Sequence, residues 1–366
     1  MFTFQNIYKA YRTCRKNKTN TINALKFEQN LIDNLWQLHD ELNRKQYNIG
    51  KSLCFLTSSP KLREVFASDF KDRVVHHILV GKLEPLFERK FIHDVYNNRK
   101  AKGTHQAVEQ AQRYMRQTPK GYYLQLDIKG FFYNLDKMTL LEKIKQEVIG
   151  SDLDVSSILY LSNKIIFHDP TQSYYFRGDK SKLGFLPAHK TLFKIPKNKG
   201  LPIGNLTSQF FANVYMNDFD NFIKRTLKVK RYIRYVDDFV LFDESKERLQ
   251  ALNKQIEQYL HENLQLTLRE DTKLKKHSDG LDFLGYIIRP HYRLVRQRVV
   301  NNYKKKKAKY LQEYENQKGK MKLSQIKDFL SVKASFASHL KHANSYNLLN
   351  KVGELHETNP FDYTRA

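Results

Sequence analysis

The sequence predicts an α+β fold, and three features carry that expectation. Aromatic and apolar runs of strand length appear, such as Tyr122-Tyr123-Leu124-Gln125-Leu126-Asp127-Ile128. Between them lie longer segments whose apolar residues recur every three or four positions. From Val299 onward only a helical, strongly basic pattern remains, and mixed elements ending in a separate helical unit are the α+β arrangement.

Taken in order, residues 5–45 carry helical spacing: Phe27, Leu31, Leu35, Leu38 and Leu42 make a core stripe, with Trp36 alongside. Residues 47–60 read as irregular or strand structure. A helix over 74–91 places Val75, Ile78, Leu79 and Leu83 on one face, and another over 104–118 precedes the strand that delivers Asp127. Residues 140–148 are helical. The stretch 168–200 is loop-rich, with Pro170, Pro187, Pro196 and many lysines, and irregular stretches of that length are more often functional than idle. A long helix over 206–227 leads into a hairpin with apolar arms, Tyr232-Ile233 and Phe239-Val240-Leu241-Phe242. Residues 247–263 are helical, 264–268 alternate like a strand, and 281–288 form a strongly apolar strand. The four consecutive lysines from Lys304 to Lys307 suit either a solvated helix face or a surface for phosphates.

A chain of 366 residues accommodates two or three structural units. Its 64 Lys and Arg against 38 Asp and Glu leave a formal charge of +26, which favours a polyanionic partner, nucleic acid first. Ribosomal or membrane-surface binding fits the charge as well. Cys14 and Cys54 cannot make a disulfide framework, and no Cys/His cluster suggests zinc. No stretch approaches membrane-span length and the N-terminus lacks an apolar signal core, so a cytoplasmic protein with no membrane partner is expected.

The chemistry centres on Tyr235-Val236-Asp237-Asp238. Adjacent carboxylates at the tip of an apolar hairpin repel one another, and cations make the pair tolerable. On the tetrapeptide alone a surface β-turn is the plainer reading. Asp127, delivered by a second apolar strand, makes a three-carboxylate site with Asp237 and Asp238 and strengthens the metal reading. Mg²⁺ takes oxygen ligands, and two such ions held by carboxylates serve phosphoryl chemistry by activating the attacking oxygen and stabilising the leaving group. His76-His77 is a poor ligand pair, because adjacent residues on a helix diverge.

Five segments in order resemble reverse transcriptases of the group II intron-like bacterial branch. Leu126-Asp127-Ile128-Lys129-Gly130-Phe131-Phe132 and Tyr235-Val236-Asp237-Asp238 resemble the two catalytic motifs, and Leu201-Pro202-Ile203-Gly204-Asn205-Leu206-Thr207-Ser208-Gln209 lies between them, where that family has its template and nucleotide-binding helix. Its Ser208-Gln209 ending is similar to the reverse transcriptases of diversity-generating retroelements. The run from Arg63-Glu64-Val65-Phe66 to His76-His77, and His342-Ala343-Asn344-Ser345-Tyr346, resemble that subfamily too.

The resemblance implies a right-hand polymerase with fingers, an antiparallel palm sheet flanked by helices, and a C-terminal helical thumb. It implies an N-terminal extension and fingers over 1–118, palm over 119–136 and 201–290, a fingers/palm insertion over 137–200 and a thumb over 291–366. Asp127, Asp237 and Asp238 become the catalytic carboxylates, with the Ile128 carbonyl as an additional metal ligand and Mg²⁺, or Mn²⁺ in its place, as two ions. Arg63 and Lys61 would grip the nucleotide triphosphate, and Gly130 and Phe131 would offer it backbone N–H groups. Phe132 matches the aromatic that excludes a ribose 2′-hydroxyl, while Ile203, Gly204 and Gln209 would line the nascent base pair. Lys273, after Glu270-Asp271-Thr272, would protonate the pyrophosphate leaving group. Phe283-Leu284-Gly285-Tyr286 looks like the primer-gripping hairpin.

The implied activity is RNA-directed DNA polymerisation that copies a template repeat into cDNA, error-prone at adenines, for mutagenic retrohoming. The implied partners are template RNA, a DNA primer, dNTPs and a small, basic, oligomeric accessory variability protein. A retron, intron-type or antiphage reverse transcriptase is the alternative. A non-catalytic RNA-binding protein on the same scaffold is the third reading.

Overall fold

The computed structural model describes residues 2–16, 21–58 and 61–352, which form mixed helices and largely antiparallel sheets, an α+β fold. Ten strands occur among the described residues: β1 Ser52–Thr57, β2 Arg63–Ala67, β3 Tyr122–Asp127, β4 Tyr174–Arg177, β5 Arg231–Tyr235, β6 Asp238–Asp243, β7 Lys273–Lys276, β8 Leu281–Phe283, β9 Tyr286–Ile288 and β10 Arg293–Val295. They make three sheets, in the orders β2–β1–β4, β5–β6–β3–β7 and β10–β9–β8. Among the described residues no helix is long and apolar enough to cross a membrane.

The chain packs as two compact units. The first takes the described residues up to Lys100, Gln125–Phe239 and Gln250–Thr272. The second takes Ala101–Leu124, Val240–Leu249 and the described residues from Lys273 on.

In the first unit the predicted helical region at the N-terminus is three helices, Phe4–Arg15, Ile22–Gln29 and Leu31–Asn43. Leu35, Leu38 and Leu42 are fully buried, as their spacing requires, whereas Trp36 is half exposed and stacks on Phe4 at 4.5 Å. The Phe70–Glu88 helix carries the predicted face inward and contains Pro85. It meets the Leu206–Asn221 helix through Phe87 and Phe210, whose rings cross edge to face at 5.8 Å. Asp136 and Asp154 cap the Lys137–Ile149 and Val155–Phe167 helices, accepting from the N–H groups of Thr139 and Ser157 at 2.8 and 3.0 Å.

Several expectations are corrected. The 168–200 stretch contains β4, which pairs parallel with β1, and three short 3₁₀ turns. The helix from Leu206 ends at Asn221 and widens into one π turn over Phe222–Thr226, closed by the Leu227 N–H on the Phe222 carbonyl. Residues 264–268 are not a strand: Leu264 closes the Lys246–Leu264 helix, Gln265 turns the chain at φ +52°, and Leu268 alone bridges Ile128. The alternating leucines are buried there without a ladder.

In the second unit, the apolar run 281–288 is two strands, β8 and β9, because Leu284 and Gly285 take positive φ, 49° and 91°, and reverse the chain. The Gln297–Asn316 and Leu323–Lys341 helices pair through stacked rings, Tyr303 on Phe336 at 4.0 Å and Tyr310 on Phe329 at 4.1 Å. Lys304, Lys305 and Lys306 lie on the exposed side of the first of these helices.

Candidate active site

Val236 and Asp237 join β5 to β6, and Val236 takes φ +61°, a left-handed conformation that is costly for a β-branched residue. A buried polar frame holds it there. The Val236 N–H donates to Asn97 Oδ1 at 2.9 Å, and its carbonyl accepts from Arg234 Nη1 at 2.9 Å. Arg234, fully buried, also donates from Nε and Nη2 to the Asp220 carboxylate at 2.8 and 2.6 Å. Asn97 Nδ2 donates to Asn213 Oδ1 at 2.8 Å, and Asn213 Nδ2 returns a bond to the Asn97 carbonyl at 2.9 Å. The buried groups satisfy one another, and the turn is clamped on both its N–H and its carbonyl side.

The end of β3 meets this turn, where the Ile128 N–H donates to the Asp237 carbonyl at 3.3 Å. Asp127, Ile128 and Asp237 line one open cleft of about 460 Å³, together with Lys61, Arg63, Gly130, Phe131, Phe132 and Ile203. Burial, and then the Asp127 charge, push the Asp237 carboxyl up to about 6. Burial also raises Asp127, against the pull of the Arg269 guanidinium 3.5 Å from its Oδ2. Asp238 begins β6, and its carboxylate accepts from Gln125 Nε2 at 3.2 and 3.4 Å.

Two hard oxygen donors that repel each other across a cleft fit a divalent cation, which would relieve that repulsion. Among the described residues no three His, Cys, Asp or Glu side chains are gathered closely enough to hold a metal by themselves. Asp127, Asp237 and the Ile128 carbonyl would therefore hold it in part. Substrate phosphates and water would complete the shell, as is usual for Mg²⁺.

The cleft wall is stitched to β2. The Phe66 N–H donates to the Ile203 carbonyl at 3.0 Å, and Asn205 Oδ1 accepts from the N–H and hydroxyl of Ser68 at 3.2 and 2.9 Å. Between them Gly204 takes φ +120°, and a Cβ there would meet Val65 Cγ1 at 2.7 Å, so only glycine allows this approach. Gln209 lies half-buried at the end of the first turn of the Leu206–Asn221 helix. Gly130, at φ +57°, starts the Phe131–Asn134 turn, and half-buried Phe132 stands edge to face with Phe131 at 5.4 Å.

Lys273 opens β7 in the second unit, and Phe283 to Tyr286 form the β8–β9 hairpin there. Tyr286 is buried, stacked on His339 at 5.3 Å, and donates its hydroxyl to the His339 carbonyl at 3.1 Å. Sequence reasoning missed His189, Lys190 and Arg269 in the cleft lining, and Asn97, Asn213, Asp220 and Arg234 behind the turn. One signal was available: Arg234 interrupts the apolar arm Tyr232-Ile233, and period-two alternation places it opposite Ile233.

A family model described as reverse transcriptase (RNA-dependent DNA polymerase) matches residues 51–288, more than half of the chain. The chain is 23% identical to Protein YkfC of Escherichia coli (strain K12) over 327 residues, covering 79% of this chain and 80% of that protein. It is also 23% identical to the group II intron-encoded protein LtrA of Lactococcus lactis subsp. cremoris over 295 residues, 63% of this chain. The chain spans only 45% of LtrA. A solved telomerase from Candida albicans, in complex with a fragment of telomeric RNA, covers 74% of this chain and 53% of its own at 11% identity and a TM-score of 0.46.

Proposed function

We propose, for a chain that belongs to the reverse transcriptase family and is therefore an RNA-directed DNA polymerase, that the cleft between β2 and the Val236-Asp237 turn is its polymerising site. One observation supports this most: Asp127 and Asp237, far apart in sequence, share a cleft with the cations Lys61 and Arg63. Such a cleft suits a nucleoside triphosphate, with anionic phosphates between the carboxylate-bound ions and the basic wall.

In this reading Arg63 and Lys61 bind the triphosphate, and the Gly130 and Phe131 N–H groups orient it. Phe132 lies against the sugar, and Ile203 and Gly204 against the base pair. Lys273 serves as the acid for the leaving group, and Phe283 to Tyr286 hold the primer. The primer 3′-oxygen attacks the α-phosphorus, the new O–P bond forms as the bond to pyrophosphate breaks, and the 3′-proton leaves to solvent. Asp127, Asp237 and the Ile128 carbonyl, with Asp238 beside them in sequence, would hold divalent ions, which when bound would activate the attacking oxygen and stabilise the leaving oxygen. Members of this family use divalent ions, and we infer Mg²⁺ here. We assign residues 119–136 and 201–290 to the palm, the described residues up to 118 to an N-terminal helical extension and fingers, 137–200 to a fingers/palm insertion, and the described residues from 291 on to the thumb.

The biological task we infer is mutagenic copying of a template-repeat RNA by a diversity-generating retroelement, with an accessory basic protein. The Ser208-Gln209 ending supports it. Likeness to LtrA favours an intron-type polymerase as the second reading. Primer extension on RNA with Mg²⁺ and dNTPs, followed by sequencing, tests both levels. Asp237→Ala with Asp238→Ala abolishes extension if the site is right, and retained extension sinks it. Errors concentrated opposite adenines support the retroelement reading, and errors spread evenly over the bases reject it.

A further inference from the structure

The segment 168–200, with β4 and its three 3₁₀ turns, reaches the cleft. Its Ala188–Lys190 turn, closed by the Lys190 N–H on the Pro187 carbonyl at 2.8 Å, puts His189 and Lys190 in the cleft lining beside Lys61, Arg63 and Asp127. Both flanks of Lys190 are anchored. On one side the His189 carbonyl lies against Gly130, where an added Cβ would meet it at 3.3 Å. On the other, Thr191 Oγ1 donates to the Glu64 carboxylate at 2.7 Å, and the Leu192 N–H donates to the same carboxylate.

Glu64 is the neighbour of Arg63 on β2, and strand alternation turns the two to opposite faces: Arg63 exposed, Glu64 only 1% exposed. Two residues on, Phe66 packs against Phe193 at 5.8 Å, and Phe193 against Tyr174 of β4 at 5.5 Å. Burying a carboxylate is costly. Here it fixes the 191–192 backbone to the strand that bears Arg63. The fold thus couples two cations, one on β2 and one on the loop, into a single wall of the cleft that holds Asp127.

We propose that Lys190 is a substrate-binding residue for the triphosphate of the incoming nucleotide, and that Glu64 is its positioning residue. The inference rests on the polymerising site described above. Lys190 meets the phosphates opposite Arg63, and the same contact serves the pyrophosphate product.

The test uses the full chain on an RNA template with a dideoxy-terminated primer, where the next dNTP stabilises the complex without chemistry. Lys190→Ala should weaken that dNTP-dependent stabilisation about tenfold, the usual value of one charged hydrogen bond, and weaken inhibition by pyrophosphate in proportion. Binding of the primer-template alone should stay within twofold of wild type. Lys190→Arg should restore most of the dNTP affinity, and Glu64→Gln should lower it with Lys190 still present. Unchanged dNTP and pyrophosphate affinity in Lys190→Ala overturns the proposal, as does an equal loss of primer-template binding. Failure of the wild-type chain to extend an RNA-templated primer overturns the polymerase reading instead, so the two failures are distinct.

Discussion

The Arg234 guanidinium meets the Asp220 carboxylate through two charge-assisted hydrogen bonds of 2.6 and 2.8 Å, while its other terminal nitrogen holds the Val236 carbonyl. Both side chains are essentially inaccessible to water. The pair therefore does more than neutralise itself: it fixes the strained residue that precedes Asp237. Arg234→Met leaves the Asp220 charge buried without its cation and should cost about 3–5 kcal/mol in urea denaturation. Adding Asp220→Asn should recover a large part of that loss. A double variant as unstable as the single one counts against the coupling.

Gly204→Ala tests the close approach of the 203–205 loop to β2. The new Cβ must displace Val65, and the φ of +120° disfavours alanine as well. Because Val65 and Arg63 share β2, the shift should reach the cation. The expected result is a rise of about tenfold in KM for dNTPs with a stability loss of about 1–2 kcal/mol. An unchanged KM would mean that β2 absorbs the methyl without moving Arg63.

Phe132→Ala tests the sugar filter. Removing a half-buried ring from the cleft lining opens space without deleting a charge. Ribonucleotide incorporation, compared with deoxyribonucleotide incorporation on one template, should rise by at least about tenfold, the scale of a steric pocket change. Unchanged sugar discrimination would return Phe132 to an ordinary packing role.

Asp72 supplies a pH dependence away from the cleft. Its carboxylate accepts from the Tyr47 hydroxyl at 2.5 Å and the Gly50 N–H at 3.0 Å, yet burial dominates and pushes it from 3.8 up to about 6. The folded state thus holds this proton more tightly than the unfolded chain. Its contribution to stability is complete below pH 3.8 and is lost as pH rises through about 6. Thermal melts should show wild type losing stability relative to Asp72→Asn over that window, by at most about 3 kcal/mol. Parallel pH profiles for the two proteins would assign the dependence elsewhere.

Local pattern made much of the fold legible. The 3.6-residue spacing of Leu35, Leu38 and Leu42 and of Val75, Ile78 and Leu79 corresponds to buried helix faces. The apolar run before Asp127 is β3, and the carboxylate hairpin lies between β5 and β6. Local pattern failed where short apolar runs admit two structures. Residues 264–268 alternate like a strand yet have one bridge, and 281–288 reads as continuous although Leu284 and Gly285 turn it back.

By itself, the sequence determined the α+β class, the basic character that suits nucleic acid, and family membership, because these rest on composition and on motifs a few residues long. Only the tertiary structure decided which side chains share the cleft. Asn97 holds Val236 across 139 positions, and Thr191 holds Glu64 across 127. Such contacts form when distant segments pack and bury polar groups that must then find partners, and no local periodicity encodes which partners those are.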